Sequence, residues 1–67
     1  MKIKFNSNWL ELENEKQLTA LLKKLTLDKK SGMAVAVNAS VVPKKEWPHF
    51  ELHENDEVII IEAAQGG

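Results

Sequence analysis

Apolar and charged residues alternate from Met1 to Phe5, the period-two signature of a strand with one buried face, so Ile3 and Phe5 are expected to point inward. Asn6-Ser7-Asn8 supplies turn-forming side chains ahead of a second short run, Trp9-Leu10-Glu11-Leu12, and together these predict a hairpin. The period then changes. Leu18, Leu21, Leu22 and Leu25 fall at the i, i+3, i+4, i+7 spacing of a helix's buried stripe, and Asn14 followed by Gln17 has the spacing of a capping box, which predicts a helix from Glu15 to Leu25. Asp28 to Gly32 is polar and ends in glycine, a loop that returns the chain to the sheet. Met33-Ala34-Val35-Ala36-Val37 alternates small and branched residues, as a strand packed close to another layer would. Asn38-Ala39-Ser40 turns into Val41-Val42-Pro43, where the proline must end the strand or lie at its edge. Lys44 to Phe50 has no clear period and predicts a loop or one helical turn anchored by Trp47, more an anchor closing a small core than an exposed binding residue. Glu54 to Glu57 is a turn leading into Val58-Ile59-Ile60-Ile61, whose unbroken branched run suits a central strand covered on both faces.

The order strand, strand, helix, strand, short strand, strand describes an α+β chain. Its mixed sheet of four to five strands has one main helix packed on one face, and the first and last strands are parallel neighbours. A β-grasp roll over residues 1–62 satisfies this order. One helix covers only one side, so part of Ile59, Ile61 or neighbouring strand residues is expected to stay exposed as an apolar patch, the usual mark of a partner surface, which draws on alternate residues of the run Val58, Ile59, Ile60 and Ile61. At 67 residues, 43% of them hydrophobic, the chain has one modest core and little room for a deep active-site cavity. Nine lysines without arginine, against ten acidic residues, argue against nucleic acid as a partner. The absence of cysteine removes disulfides, thiolate-metal sites and a cysteine nucleophile. No signal-type start and no bilayer-length apolar run are present, so a soluble, cytoplasmic protein without membrane contact is expected.

After Ile61 the character changes to Glu62-Ala63-Ala64-Gln65-Gly66-Gly67. Residues 63–67 are expected to be a flexible tail, reaching at most about 17 Å from the body. Glycine has no Cβ, so Gly66 and Gly67 can pass a constriction that grips backbone closely, with Gln65 beside them. The free carboxylate, with an ordinary pKa of about 3.3–3.7, is ionised at neutral pH and a poor electrophile. Condensation with ATP to an acyl-phosphate anhydride supplies a leaving group, which a sulfur nucleophile displaces to leave a thiocarboxylate or an amine displaces to leave an amide. Neither outcome needs a catalytic side chain or a bound cofactor here, because an activating enzyme would provide the phosphate binding and ATP would be its substrate.

The strand end Val35-Ala36-Val37-Asn38, Asn6 after the first strand, Val42-Pro43-Lys44 with Trp47 four residues after the proline, the Asn55-Asp56 turn and the Gln65-Gly66-Gly67 end together resemble the ThiS family of sulfur carriers over the whole chain. That resemblance implies a ubiquitin-like β-grasp fold and a terminal Gly67 that is adenylated by an activating enzyme. It further implies conversion of Gly67 to a thiocarboxylate, with sulfur reaching the carrier from a sulfur donor enzyme and passing to thiazole synthase in thiamine biosynthesis. Two positions depart from the family pattern. Glu54-Asn55-Asp56 stands where Asp-Gly-Asp is usual, and Lys44 stands where arginine is frequent, which weakens any inference about a bidentate carboxylate or phosphate contact there. Lys44 and Lys45 remain candidates for steering an acidic partner, against a solvated charge pair as the default.

Other patterns carry less. His49 and His53 are four apart, but Pro48 and the lack of helical period oppose a metal pair. No Ser/His/Asp arrangement, P-loop or paired-carboxylate site stands out, so the chain is read as a protein co-substrate and not an enzyme. The residues leave open a carrier resembling the small subunit of molybdopterin synthase, a protein modifier that forms isopeptide bonds, and an interaction module whose tail is never activated.

Overall fold

The computed structural model describes residues 1–62; the tail expected at 63–67 lies outside them. Five strands form one mixed sheet: β1 (Lys2–Phe5), β2 (Asn8–Glu11), β3 (Met33–Val37), β4 (Ser40–Val42) and β5 (Glu57–Glu62). The spatial order is β2-β1-β5-β3-β4. β5 is central, parallel to β1 and antiparallel to β3, as the sequence order required. Both hairpins turn through two consecutive left-handed residues, Asn6 and Ser7 at φ 47° and 73°, and Asn38 and Ala39 at φ 51° and 71°. Two such residues match the twist of the flanking strands, and asparagine tolerates the first position well.

The helix α1 spans Leu18–Lys24, shorter than the apolar spacing predicts. Its start is set by a distant partner. Lys16 accepts a backbone hydrogen bond from Leu52, Gln17 bridges Glu51, and the Leu18 N–H donates to Phe50, so residues 16 and 17 are held extended and cannot join the helix. Gln17 is itself the N-cap and its side chain makes no capping bond, so no capping box forms with Asn14. At the other end, the Leu27 N–H reaches the Leu22 carbonyl and the Thr26 N–H the Lys23 carbonyl, the bond pair of a Schellman motif. Thr26 occupies its left-handed position at φ 56°, where a β-branched residue is strained and glycine is usual. Replacing Thr26 with glycine is therefore expected to raise stability by about 0.5–1 kcal/mol, the strain relieved being partly offset by glycine's freer unfolded chain. Thermal unfolding checks this, and an unchanged or lower midpoint would contradict it.

Leu18, Leu21 and Leu22 from α1 meet Ile3, Leu12, Val35, Val37, Val42, Leu52 and Val58 in one core on a single face of the sheet. The segment after Pro43 is a 3₁₀ helix, Lys44–His49. Trp47 from this turn is 4% exposed, and its indole N–H donates to the Val42 carbonyl at 2.9 Å, which ties the turn to edge strand β4. That indole is the core anchor the sequence suggested. Before the helix, Glu15 pairs with Lys24 at 2.9 Å across α1's last turn; the ammonium holds the carboxyl below its usual range and the carboxylate raises Lys24.

Candidate functional site

With α1 on one face, the opposite face of the sheet is open. Strand alternation decides which residues lie there. Along β5, Val58 is fully buried and Ile60 packs against the core, whereas Ile59 and Ile61 are 38% and 49% exposed. Val58 thus has no surface to offer a partner, and Ile60 little; the exposed pair is Ile59 and Ile61, the alternate residues expected of a sheet covered on one side. The expectation that β5 is covered on both faces fails for the same reason. Cross-strand neighbours complete the patch: Ala36 stands between Ile59 and Val41, and Ala34 lies beside Ile61. The small residues of β3 therefore lie on this side, Ala36 buried between its larger neighbours and Ala34 half-buried, whereas the branched Val35 and Val37 join the core with the leucines of α1. Val41 is exposed and widens the apolar strip onto β4.

The β1–β2 half of this face differs in kind. Trp9 is 56% exposed, with the Lys2 and Lys4 ammonium groups 5.0 and 5.8 Å from its ring centre. Both distances are within the reach of cation–π attraction. Sequence reasoning passed over Trp9 and Val41 as surface. A signal was present for Trp9: it shares its side of the strand with Glu11, while Leu10 and Leu12 take the other.

Lys44 is exposed, but it opens the 3₁₀ helix beyond edge strand β4 with its ammonium 6.0 Å from the Trp47 ring centre. The structure does not bring it together with Ile59 and Ile61, which lie two strands away. Gln65, Gly66 and Gly67 fall outside the described residues. What is described is the strand that leads to them. β5 is paired through its last residue, Glu62 opposite Met33, and Glu62 forms an ion pair with Lys30. In the sequence, three residues separate Glu62, the last residue of the central strand, from Gly66.

Away from this face, a shallow cavity of about 270 Å³ is lined by Met1, Glu13, Glu15, Lys16 and Glu51 to Glu54. His53 stands 3.8 Å from Glu51 and 4.0 Å from Asp56, and no cluster of three or more His, Cys, Asp or Glu among the described residues could hold a metal ion. No helix of the described residues is long and apolar enough to cross a membrane.

A five-stranded mixed sheet with parallel first and last strands and one helix across a single face is a β-grasp fold of the ubiquitin-like kind. The ThiS family profile matches residues 3–67, and the chain belongs to that family. It is similar to the sulfur carrier protein ThiS of Escherichia coli K12, 25% identical over 67 residues covering the whole of both chains. Its fold is similar to the crystal structure of the thiamine biosynthesis protein ThiS from Geobacter metallireducens, with a TM-score of 0.84 at 19% identity over the whole of both chains.

Proposed function

We propose that this chain is a sulfur carrier for thiamine biosynthesis, a protein co-substrate whose Gly67 carboxylate is the reacting group. The observation that carries this reading is the join between fold and sequence: central strand β5 stays paired to Glu62, five residues before the terminal carboxylate of a Gln65-Gly66-Gly67 end. Membership of the ThiS family supports it. In the reaction, a carboxylate oxygen of Gly67 attacks the α-phosphorus of ATP bound by an activating enzyme, pyrophosphate leaves, and an acyl adenylate forms. A persulfide or sulfide sulfur supplied by a donor enzyme then attacks the carbonyl carbon and AMP leaves; from a persulfide, a thiol reductant cleaves the remaining S–S bond to give the thiocarboxylate. That sulfur is passed to the forming thiazole on thiazole synthase. The chain's own part is to present the carboxyl and dock, with Gly66 and Gln65 threading the enzyme's channel.

The apolar strip of Ile59, Ile61 and Val41 is the docking face in this reading, used by the activating enzyme and thiazole synthase in turn. Ile61→Glu is expected to leave the fold intact, because the side chain is already half in water. It should weaken binding of the activating enzyme by roughly 10- to 100-fold through lost apolar burial and a desolvated charge. Titration calorimetry measures this, and an unchanged affinity would move the interface elsewhere.

The function itself is tested by intact-mass spectrometry after incubation with ATP, an activating enzyme and a sulfur donor. Exchange of one oxygen for sulfur is the expected result. A conjugate to another protein would instead make the chain a modifier, and an unchanged mass would leave a docking module whose tail is never activated.

A further inference from the structure

At one flank of the sheet a strand is left half-paired. β2 has β1 on one side and, among the described residues, no strand on the other. The bonds of β1 show which β2 groups face that open edge. Lys4 donates its N–H to the Asp56 carbonyl at 2.9 Å, Lys2 donates its N–H to Glu54 Oε1 at 3.2 Å, and the Lys2 carbonyl accepts from the Asn55 N–H at 2.7 Å. These groups point away from β2. The facing pairs Lys4 with Trp9 and Lys2 with Glu11 are therefore the non-bonded pairs of the antiparallel ladder, and the N–H and C=O of Trp9 and Glu11 point outward. The bond from the Leu12 N–H to the Met1 carbonyl, at 2.6 Å, fits the same alternation. The opposite edge is blunted. There Val37 and Ser40 close a two-residue turn as a bonded pair, so Val41 faces outward, and the next outward position is Pro43, which has no N–H to offer. β2 contains no proline and presents both outward residues intact.

The side chains beside this edge select what fits it. Trp9 and Glu11 share the open face with Lys2 and Lys4, while Ile3, between the lysines, is buried in the core. Two ammonium groups thus stand 5.0 and 5.8 Å from the indole centre, and Glu11 is paired within the chain to the Met1 ammonium at 3.1 Å. A strand laid along β2 places one side chain opposite Trp9 on this face, about 5 Å away. A carboxylate at that position meets the charges of Lys2 and Lys4, whereas one opposite Glu11 meets its own sign. We propose that β2 is a site of strand addition whose occupant is an extended acidic segment of a partner protein. The segment runs antiparallel, the more stable ladder, with a carboxylate opposite Trp9 and a neutral residue opposite Glu11. Backbone bonds to Trp9 and Glu11 supply affinity, and the charges of Lys2 and Lys4 around the indole supply selection. The site lies at the edge of the sheet opposite Val41 and does not depend on the carrier reading.

The test titrates the full chain with the blocked peptide acetyl-Val-Thr-Val-Glu-Val-Glu-amide, followed by amide NMR. Its lysine counterpart, acetyl-Val-Thr-Val-Lys-Val-Lys-amide, has the same strand pattern and the opposite charge. The acidic peptide should shift the Trp9 and Glu11 amides and slow their exchange with solvent, by roughly tenfold at a peptide concentration about ten times Kd. The lysine peptide should bind roughly tenfold more weakly or worse, and added salt should weaken the acidic one. A chain carrying Lys2→Glu and Lys4→Glu should reverse the preference and take the lysine peptide, a result that loss of structure cannot imitate. Ile61→Glu should leave acidic-peptide binding at the wild-type level. Equal binding of both peptides, or no binding of either, would overturn the proposal. So would shifts without slowed exchange at Trp9 and Glu11, which place the peptide on the face and not the edge. Trp9 and Glu11 amides already protected in a dimer before peptide is added would give the edge to a second copy of the chain and overturn it likewise.

Discussion

Appending one alanine after Gly67 is expected to abolish thiolation and leave thermal unfolding unchanged. The appended residue converts the Gly67 carboxyl carbon into an amide carbon, which has no free oxygen to attack ATP. The new terminal carboxylate stands one residue farther out, by up to about 3.6 Å, on a residue with a Cβ. Reacting atoms must approach within about 3–3.5 Å in the right orientation, so a shift of that size removes the reaction and does not merely slow it. Unfolding is unaffected because the core ends at β5: no residue beyond Ile60 belongs to the packed cluster described. Intact mass after incubation with ATP, activating enzyme and sulfur donor reads the first part, and a melting curve reads the second. Sulfur uptake by the extended chain would contradict the role assigned to the terminal carboxyl.

Trp47→Ala is expected to unfold a large fraction of the protein at physiological temperature. Truncating a buried aromatic costs about 3–5 kcal/mol in transfer and cavity terms. The Val42 carbonyl, which accepts the indole N–H, also loses its partner. A chain of 67 residues holds in total roughly 3–10 kcal/mol, so this one substitution removes much of its stability. Trp47→Phe separates the two causes: it keeps most of the apolar volume and loses the hydrogen bond, and should cost about 1–3 kcal/mol. Urea denaturation of both variants measures this. Equal losses would place the whole effect in the hydrogen bond, and no loss in either would remove Trp47 from the core.

The elements that could be read from local pattern were those whose determinants are local. The Ile3 and Phe5 alternation, the Asn-centred turns and the leucine stripe each carry their structure within a few residues. Their assembly into a β-grasp sheet followed from β5's apolar run and the single helix. The helix start was misread because the Lys16 carbonyl accepts from the Leu52 N–H and the Leu18 N–H donates to the Phe50 carbonyl, a pairing across the chain that no local spacing records. The exposure of Ile59 and Ile61 followed from strand alternation and one-sided helix cover, whereas Val58 did not belong with them, because four consecutive branched residues do not show by themselves which pair faces the helix. Asn6 could be recognised as a turn residue, yet its bond to Ile60 spans 54 positions and became visible only with the fold. At the candidate site, the Gly-Gly end was evident from the sequence, whereas Trp9 and Val41 emerged as surface only once the sheet's two faces were separated.

Fragmentation mass spectrometry of the sulfur-loaded chain tests the central claim most directly. The account predicts that every fragment containing Gly67 carries the oxygen-to-sulfur mass change and that no fragment ending before Gly67 does. Sulfur located on any other residue, or a loaded form that retains an unmodified terminal carboxylate, would contradict it.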